Sequence, residues 1–437
     1  MKIAAFILRK NGNKIMQTFK LNNGITVLYE HMQQIRSVAL GIWVCAGSQS
    51  ENKSEWGMCH FIEHMLFKGT ENLSAEQIAE RFDIIGGKVN AFTSKEHTCF
   101  YAKVLERHFE EAAGILADML INSSFKEDAV NIEKQVVLEE LAMCEDSPED
   151  VAGEIIYTTV WDGQPLGHNI LGTRKTIASM TSKKLIKFKN RHYVANNIII
   201  SVCGSIPADE VIEKLERLFG EIKPNDNMQS IEKRQWPISE YKVDIKVKKH
   251  KIEQCHLNII FPGFRAADSK NCSLFILNNI LGNGMSSRLF RKLREEMGLV
   301  YAVYSGISDY LTCGLFGITA IMNANNFKIT FETIIDELKA ICEDITLSEY
   351  TNAKEQVLAS VEMGFETNSA LSNYMAKQYI LHGKVDSVYE IIKEVEEVTF
   401  KQVKEIAKEC IDFKRISIAA VGANIKKAQI EKIMNNI

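Results

Sequence analysis

Residues 60–64 read His-Phe-Ile-Glu-His, placing His60 and His64 four apart with Glu63 between them. On a helix, residues four apart project side by side, so both imidazoles can reach one metal ion. Glu63 falls on the same side, close enough to act on a water molecule held there. Turning about 100° per residue, Trp56, His60, Glu63, His64 and Phe67 share one face, while Met58, Phe61, Ile62, Met65 and Leu66 cover the rest. A helix apolar on all sides is a buried helix. Two imidazoles and a carboxylate inside it must be paired, hydrogen-bonded or bound to a cation, because leaving them bare is costly.

A second segment answers the first. The spacing predicts a helix over Asp128–Cys144, entered from Ser123 and Ser124, with an apolar face of Val130, Ile132, Val136, Val137, Leu141, Met143 and Cys144. Glu133 and Glu140 sit at the middle of that face and Glu139 toward its edge. Seven residues make nearly two turns, so the two central carboxylates stack along one line. Acids at the centre of an apolar stripe need a recipient, and one Zn²⁺ per chain on His60 and His64 supplies it. Glu140 then completes a His₂Glu set with the fourth position open, which is the catalytic rather than the structural pattern. Glu133 suits an acceptor that orients a ligand imidazole.

The rest of the chain must position these groups. At 437 residues, with 46% apolar and 25% charged content, it is long enough for two or three sizeable domains. A net charge of −4 gives no sign of nucleic-acid binding. No run approaches the ~18 apolar residues that span a bilayer. The ten cysteines form no CxxC pairs and read as mostly free thiols, so the expected compartment is a reducing cytoplasm. Met1–Leu8, followed by Arg9 and Lys10, is too short for a secretory core, no organisation is evident before Asn22, and Met16 is a candidate start.

An internal repeat is legible as well. Asp128–Glu140 has a counterpart in Tyr350–Ser360, about 220 residues on, with Ala353 facing Glu133 and Ser360 facing Glu140. Leu277–Met285 falls where the histidine motif lies, with Ile280, Asn283 and Gly284 replacing His60, Glu63 and His64. Strand-like runs at 100–105, 198–203, 257–262 and 315–322 alternate with helical patterns, which argues for an α+β domain in each half. The expected division is a metal-binding domain over 16–222, a polar, Pro-bearing linker over 223–237, and a degenerate repeat without metal ligands over 238–437.

These motifs resemble the pitrilysin/insulinase family of zinc peptidases, whose H-x-x-E-H order inverts that of other zincins. Within it, the chain is most similar to the processing-peptidase β-subunit branch and its bacterial members. The likeness runs through Leu21–Leu28, Val44–Ser48, Gly57–Thr70 and Gly86–Ser94. The family's third ligand lies about seventy-five residues past the second His, and Glu140 stands 76 beyond His64. Cys59 departs from the small apolar residue of many relatives and is expected to be a helix-packing residue. The resemblance implies two homologous domains, each a mainly antiparallel sheet backed by helices, closing as a clamshell around a chamber. It implies an endopeptidase acting on unfolded peptides or presequence-like segments, with water on the zinc attacking the scissile carbonyl and Glu63 as general base and acid. By the same likeness Asn90, Ala91 and Thr93 form a strand edge that pairs with substrate. Arg294 and Tyr301 donate hydrogen bonds to it, and the chain forms a homodimer or pairs with a related subunit. Two other readings compete: a non-catalytic scaffold subunit, and an interaction protein whose zinc only supports folding. The intact His60/Glu63/His64/Glu140 set speaks against both.

Overall fold

Two sheets with one topology organise the chain. The computed structural model describes residues 16–251 and 253–435, so the Met1–Leu8 segment lies outside the described residues. The first sheet contains β1 (Gln17–Lys20), β2 (Thr26–His31), β3 (Ser37–Val44), β4 (Lys88–Thr93), β5 (Thr98–Leu105) and β6 (Ile198–Gly204), in the order β1-β2-β6-β3-β5-β4. The second contains β7 (Ile245–Lys248), β8 (Gln254–Gly263), β9 (Val300–Asp309), β10 (Gly314–Asn323) and β11 (Ser417–Val421), in the order β7-β11-β8-β10-β9. Matching β2, β6, β3, β5 and β4 to β7, β11, β8, β10 and β9 makes the two orders the same. The pairing sense matches too: β2–β6 and β7–β11 are parallel and the other pairs antiparallel. The repeat is therefore real at the level of topology, and each sheet is mixed, with a single parallel pairing.

Central strands are those whose residues are apolar on both faces. Ser37–Val44 reads Ser-Val-Ala-Leu-Gly-Ile-Trp-Val and Ile198–Gly204 reads Ile-Ile-Ile-Ser-Val-Cys-Gly, and both are almost wholly buried. The four strand runs seen in the sequence fall within β5, β6, β8 and β10. β1 escaped notice because Gln-Thr-Phe-Lys carries one apolar residue and is only partly buried at the sheet margin. All ten cysteines are free thiols, and no helix among the described residues is long and apolar enough to cross a membrane.

The chain divides into two compact units that do not follow the contiguous division expected from sequence. One runs to Leu141 and adds Asn169–Gln235 and Gly364–Ser387; the other comprises Ala142–His168, Trp236–Met363 and the segment from Val388 on. Each unit takes one helix from the other half of the chain. Asn368–His382 packs on β2, β3 and β6 through Leu371, Met375, Ala376 and Ile380, and Ser372 Oγ meets Ser201 Oγ at 2.8 Å. Pro148–Val160 packs on β7, β8 and β11, and Asn258 Nδ2 donates to Ala152 O at 3.1 Å. Much of the expected linker is also built in. Ile231 is buried, and Arg234 donates to Asn197 Oδ1 at 2.5 Å within the first unit.

The acid-bearing helix spans Glu127–Asp146, two residues longer at its C-terminal end than expected. Its buried line is Val130, Glu133, Val137 and Leu141, at spacings of three and four. Ile132 and Met143, assigned above to the apolar face, are 67% and 73% exposed, and Val136 is exposed too. A stripe drawn from residue type alone was too wide, because it merged two adjacent lines of the helix. The repeat alignment also needs correction at one point. The helix Asn271–Leu281 ends at Gly282, so Asn283 and Gly284 lie past it and do not occupy in-helix positions like those of Glu63 and His64.

Candidate active site

The histidine motif lies on the helix Met58–Leu66, whose Met58, Cys59, His60, Phe61, Ile62, Met65 and Leu66 are buried. Its first turn has amide N–H groups without helical partners, and Gly57 at its start has no side chain to receive them. The buried Glu51 carboxylate does so, accepting from Gly57 N at 2.8 Å and Cys59 N at 2.7 Å. An acid at a helix N-terminus also meets the positive end of the dipole. Gly57 adopts φ 90°, and a Cβ there would lie 2.5 Å from the carbonyl oxygen of Leu171. Replacement of Gly57 by Ala is expected to cost about 1–3 kcal/mol from backbone conformation alone, with the clash added. Gly86→Ala, also at positive φ but with open space around it, is the control. Chemical denaturation of both variants checks this, and equal losses would remove the steric part of the argument.

The rings of His60 and His64 lie side by side, tilted by 55°, with centroids 4.5 Å apart. Glu140 reaches them from the Glu127–Asp146 helix: His60 Nε2 to Oε1 and His64 Nε2 to Oε2 are both 3.6 Å. These separations are too long for good hydrogen bonds. Donor atoms held tetrahedrally at ~2.0–2.2 Å from one ion lie about 3.4 Å apart, so the spacing suits a shared cation. Among the described residues, His60, His64 and Glu140 form the single group of this kind, with ligand atoms within 4.8 Å of one another. Glu139, next in sequence, is exposed and takes no part. His97 and His168 stay outside the group. His97 packs on Trp43 and Phe92, and His168 belongs to the second unit.

The groups of this cluster shift one another's protonation. Burial pushes His60 down to about 3, helped by charge on His64, so its ring stays neutral and keeps one nitrogen lone pair open to metal. Burial alone would lower His64, but its hydrogen bond to Glu133 and the charges of Glu133, Glu140 and Glu63 raise it overall. Burial raises Glu140, with His64 opposing and Glu133 adding to the rise. Burial also lifts Glu63; the Thr93 hydrogen bond and His64 oppose it and Glu140 adds to it. Three carboxylates crowd two imidazoles and Lys68 here, an excess of acid that suits a divalent cation.

Around this set stands a supporting layer. Glu133, 1% exposed, accepts from His64 Nδ1 at 2.8 Å and pairs with Lys68 Nζ at 2.8 Å through its other oxygen. A carboxylate can only accept, so Nδ1 carries the proton and Nε2 presents its lone pair toward Glu140. Burial would raise Glu133, but the His64 and Lys68 hydrogen bonds outweigh it and hold the carboxyl below its usual range. Thr93 Oγ1, at the end of β4, donates to Glu63 Oε2 at 2.5 Å. Thr93, expected at the substrate edge, thus has its hydroxyl on the candidate base. Asn90 is exposed on β4, an edge strand, and its Oδ1 accepts from Ala91 N at 2.8 Å. Cys59 Sγ donates to Gly47 O at 3.3 Å, and burial followed by the nearby Glu51 pushes the thiol well up, as befits a packing residue.

Arg294 and Tyr301 belong to the second unit, and both are exposed. Arg294 lies over the Phe290 ring at 5.1 Å. Tyr301 sits at the start of β9 where the register slips, since Val300 faces Met322 and Ala302 faces Ile321. That bulge throws its side chain outward, to 71% exposure. Sequence reasoning missed Glu51 and Lys68. Lys68 carried little signal, since it stands four residues beyond His64 but past the end of the helix at Leu66. Glu51 carried none, because only the bend at Gly57 brings it back under the helix.

Comparison with known proteins completes the picture. The family model described as insulinase (peptidase family M16) matches residues 26–174, and that described as peptidase M16 inactive domain matches residues 179–357. A Bacillus subtilis protein named uncharacterized zinc protease YmxG is 38% identical over 90% of this chain and 95% of its own length. A Streptomyces coelicolor protein, also named an uncharacterized zinc protease, is 32% identical over 92% of this chain and 88% of its own. The crystal structure of a protease from Helicobacter pylori shares the fold, with a TM-score of 0.87 at 20% identity over 94% of this chain and 99% of that one. Matches of this extent, spanning both halves of the repeat, leave one assignment: the chain belongs to the insulinase family of zinc peptidases, peptidase family M16.

Proposed function

We propose that this chain is a zinc-dependent endopeptidase acting on unfolded peptides or presequence-like segments, with Glu63 as general base and then general acid. The supporting observation is the convergence of His60, His64 and Glu140 beside a carboxylate, Glu63, that stays outside their set. His60, His64 and Glu140 would hold one ion per chain. When bound, zinc lowers the pKa of water toward neutrality and polarises a carbonyl. Glu63 takes a proton from the attacking water and delivers it to the leaving amine. Thr93 holds Oε2 of that carboxylate and leaves Oε1 for the proton. Glu133 keeps His64 in the tautomer that offers Nε2.

The same proposal covers the substrate. β4 is an edge strand, and its Asn90–Thr93 stretch offers backbone groups to an extended chain. Only a segment without its own backbone pairing can add there, which selects unfolded peptides. Arg294 and Tyr301 then donate to the scissile carbonyl or neighbouring backbone, where negative charge develops. Their exposure, and the bulge that re-aims Tyr301, support that role. Assembly into a homodimer, or with a related subunit, belongs to this reading.

Cleavage of a quenched peptide that is lost on chelation and restored by Zn²⁺ tests it. Stoichiometric metal without cleavage would instead favour a scaffold. Glu140→Gln is expected to weaken zinc binding by more than the roughly 10–100-fold that removal of an outer partner costs. Metal analysis after dialysis reads this, and full occupancy would remove Glu140 from the ligand set.

A further inference from the structure

Within the first unit, a cavity of about 300 Å³ lies beside the last turn of the helix Phe109–Asn122. Its walls are largely hydrocarbon, supplied by Leu120, Tyr193, Val194, Ile198 and Ile222. The first four of these are buried. One edge is anchored by backbone: Asn23 Nδ2 donates to Ile222 O at 3.0 Å, and Ala195 N to Lys223 O at 3.1 Å. The space is therefore preformed. Its volume stands at the low end of the ~300–1,000 Å³ range of small-molecule sites, which limits an occupant to a small ligand.

The charge in this apolar space is Lys189, half-buried on the helix Ser182–His192, with the exposed Lys223 also in the lining. Lys189 Nζ donates to Ile121 O at 2.9 Å, one of the terminal carbonyls that the helix itself leaves without a partner. That bond caps the helix with a cation at the negative end of its dipole. It uses one of three ammonium donors. Among the described residues no carboxylate lines the cavity, and none lies within ion-pair distance of Nζ. Burial pulls the ammonium down to about 8, and the more distant charge of Glu71 opposes the fall without cancelling it. A buried cation without a counter-ion is costly. Two donors and an unbalanced positive charge against hydrocarbon walls complement a single anionic head on an apolar tail.

We propose that this cavity binds a small aliphatic carboxylate, its head on Lys189 and its tail against Leu120, Val194, Ile198 and Ile222. The site uses none of the metal-binding residues, so it stands or falls apart from the peptidase reading. The test is calorimetric titration of the full-length chain with octanoate, octanamide and acetate. Octanoate is expected to bind. Octanamide keeps the tail and drops the charge, and should bind about tenfold or more weakly. Acetate keeps the charge and drops the tail, and should also lose about tenfold or more. Lys189→Met keeps an unbranched side chain without the ammonium and should weaken octanoate by about tenfold or more. Absence of octanoate binding would overturn the proposal, as would equal affinity for octanamide or for acetate. Affinity untouched by Lys189→Met would overturn it too, by placing octanoate elsewhere, the metal centre included. The comparison of the three ligands on the unsubstituted chain decides the matter even if Lys189→Met fails to fold.

Discussion

Glu63→Gln is expected to lower peptide-bond cleavage by about 10²–10⁴-fold, the range that a positioned proton-transfer group supplies, while the protein still takes up one zinc. The structure separates these two consequences. Glu63 lies outside the His60, His64 and Glu140 group, so the substitution removes no donor atom from the metal. Gln has the shape of Glu, and its amide oxygen can still accept from Thr93 Oγ1, which lies 2.5 Å from Glu63 Oε2 in the native protein. The loss is then confined to basicity, since an amide cannot take up the proton of an attacking water. Turnover of a quenched peptide and metal analysis of the same preparation measure the two arms. Wild-type turnover would show that another group moves the proton, and loss of zinc together with activity would mean that Glu63 supports the metal directly.

The second large effect concerns folding. A fragment ending at residue 237, close to the half-chain that sequence alone suggests as a domain, is expected to lack a cooperative unfolding transition. That fragment lacks Asn368–His382, which covers β2, β3 and β6. Leu371, Met375 and Ile380 of that helix are buried, and burying each such side chain contributes about 1.5–3 kcal/mol. Their loss, roughly 5–9 kcal/mol by that figure, is comparable with the whole ~5–15 kcal/mol stability of an ordinary domain. Hydrogen bonds are lost as well. Ser201 Oγ loses Ser372 Oγ, and Ser37 O loses the Asn368 Nδ2 donor at 3.0 Å. Addition of a peptide covering residues 364–387 is expected to restore a sigmoidal urea transition, followed by near-ultraviolet circular dichroism. A cooperative melt of the fragment alone would show that the helix is dispensable to the first unit.

The convergence of His60, His64 and Glu140 was legible because their types and spacing are local facts. Two histidines four apart on an apolar helix have few ways to be satisfied, and their partner acid is marked by its place in a second periodic segment. The repeat was visible through the Glu133–Ala353 and Glu140–Ser360 correspondences and reappears as matched strand orders. Periodicity read less well where a helix meets different neighbours along its sides. Ile132, Val136 and Met143 are apolar and exposed, while Glu133 is charged and buried. Burial follows the partner surface, and residue type alone does not reveal that surface.

By itself, then, the amino-acid order determined the two helices that carry His60, His64 and Glu140, the strands around them, and the loss of these donors from the second half. Each depends on contacts within a few turns or on side-chain chemistry. Only the tertiary structure decided that Glu51 pins the start of the histidine helix, that Lys68 and His64 share Glu133, that Thr93 holds Glu63, and that each unit is completed by a helix from the other half. Those contacts join residues brought together by chain reversal, such as Thr93 and Glu63, 30 positions apart. No periodicity encodes a pairing of that kind, because it depends on how whole elements stack.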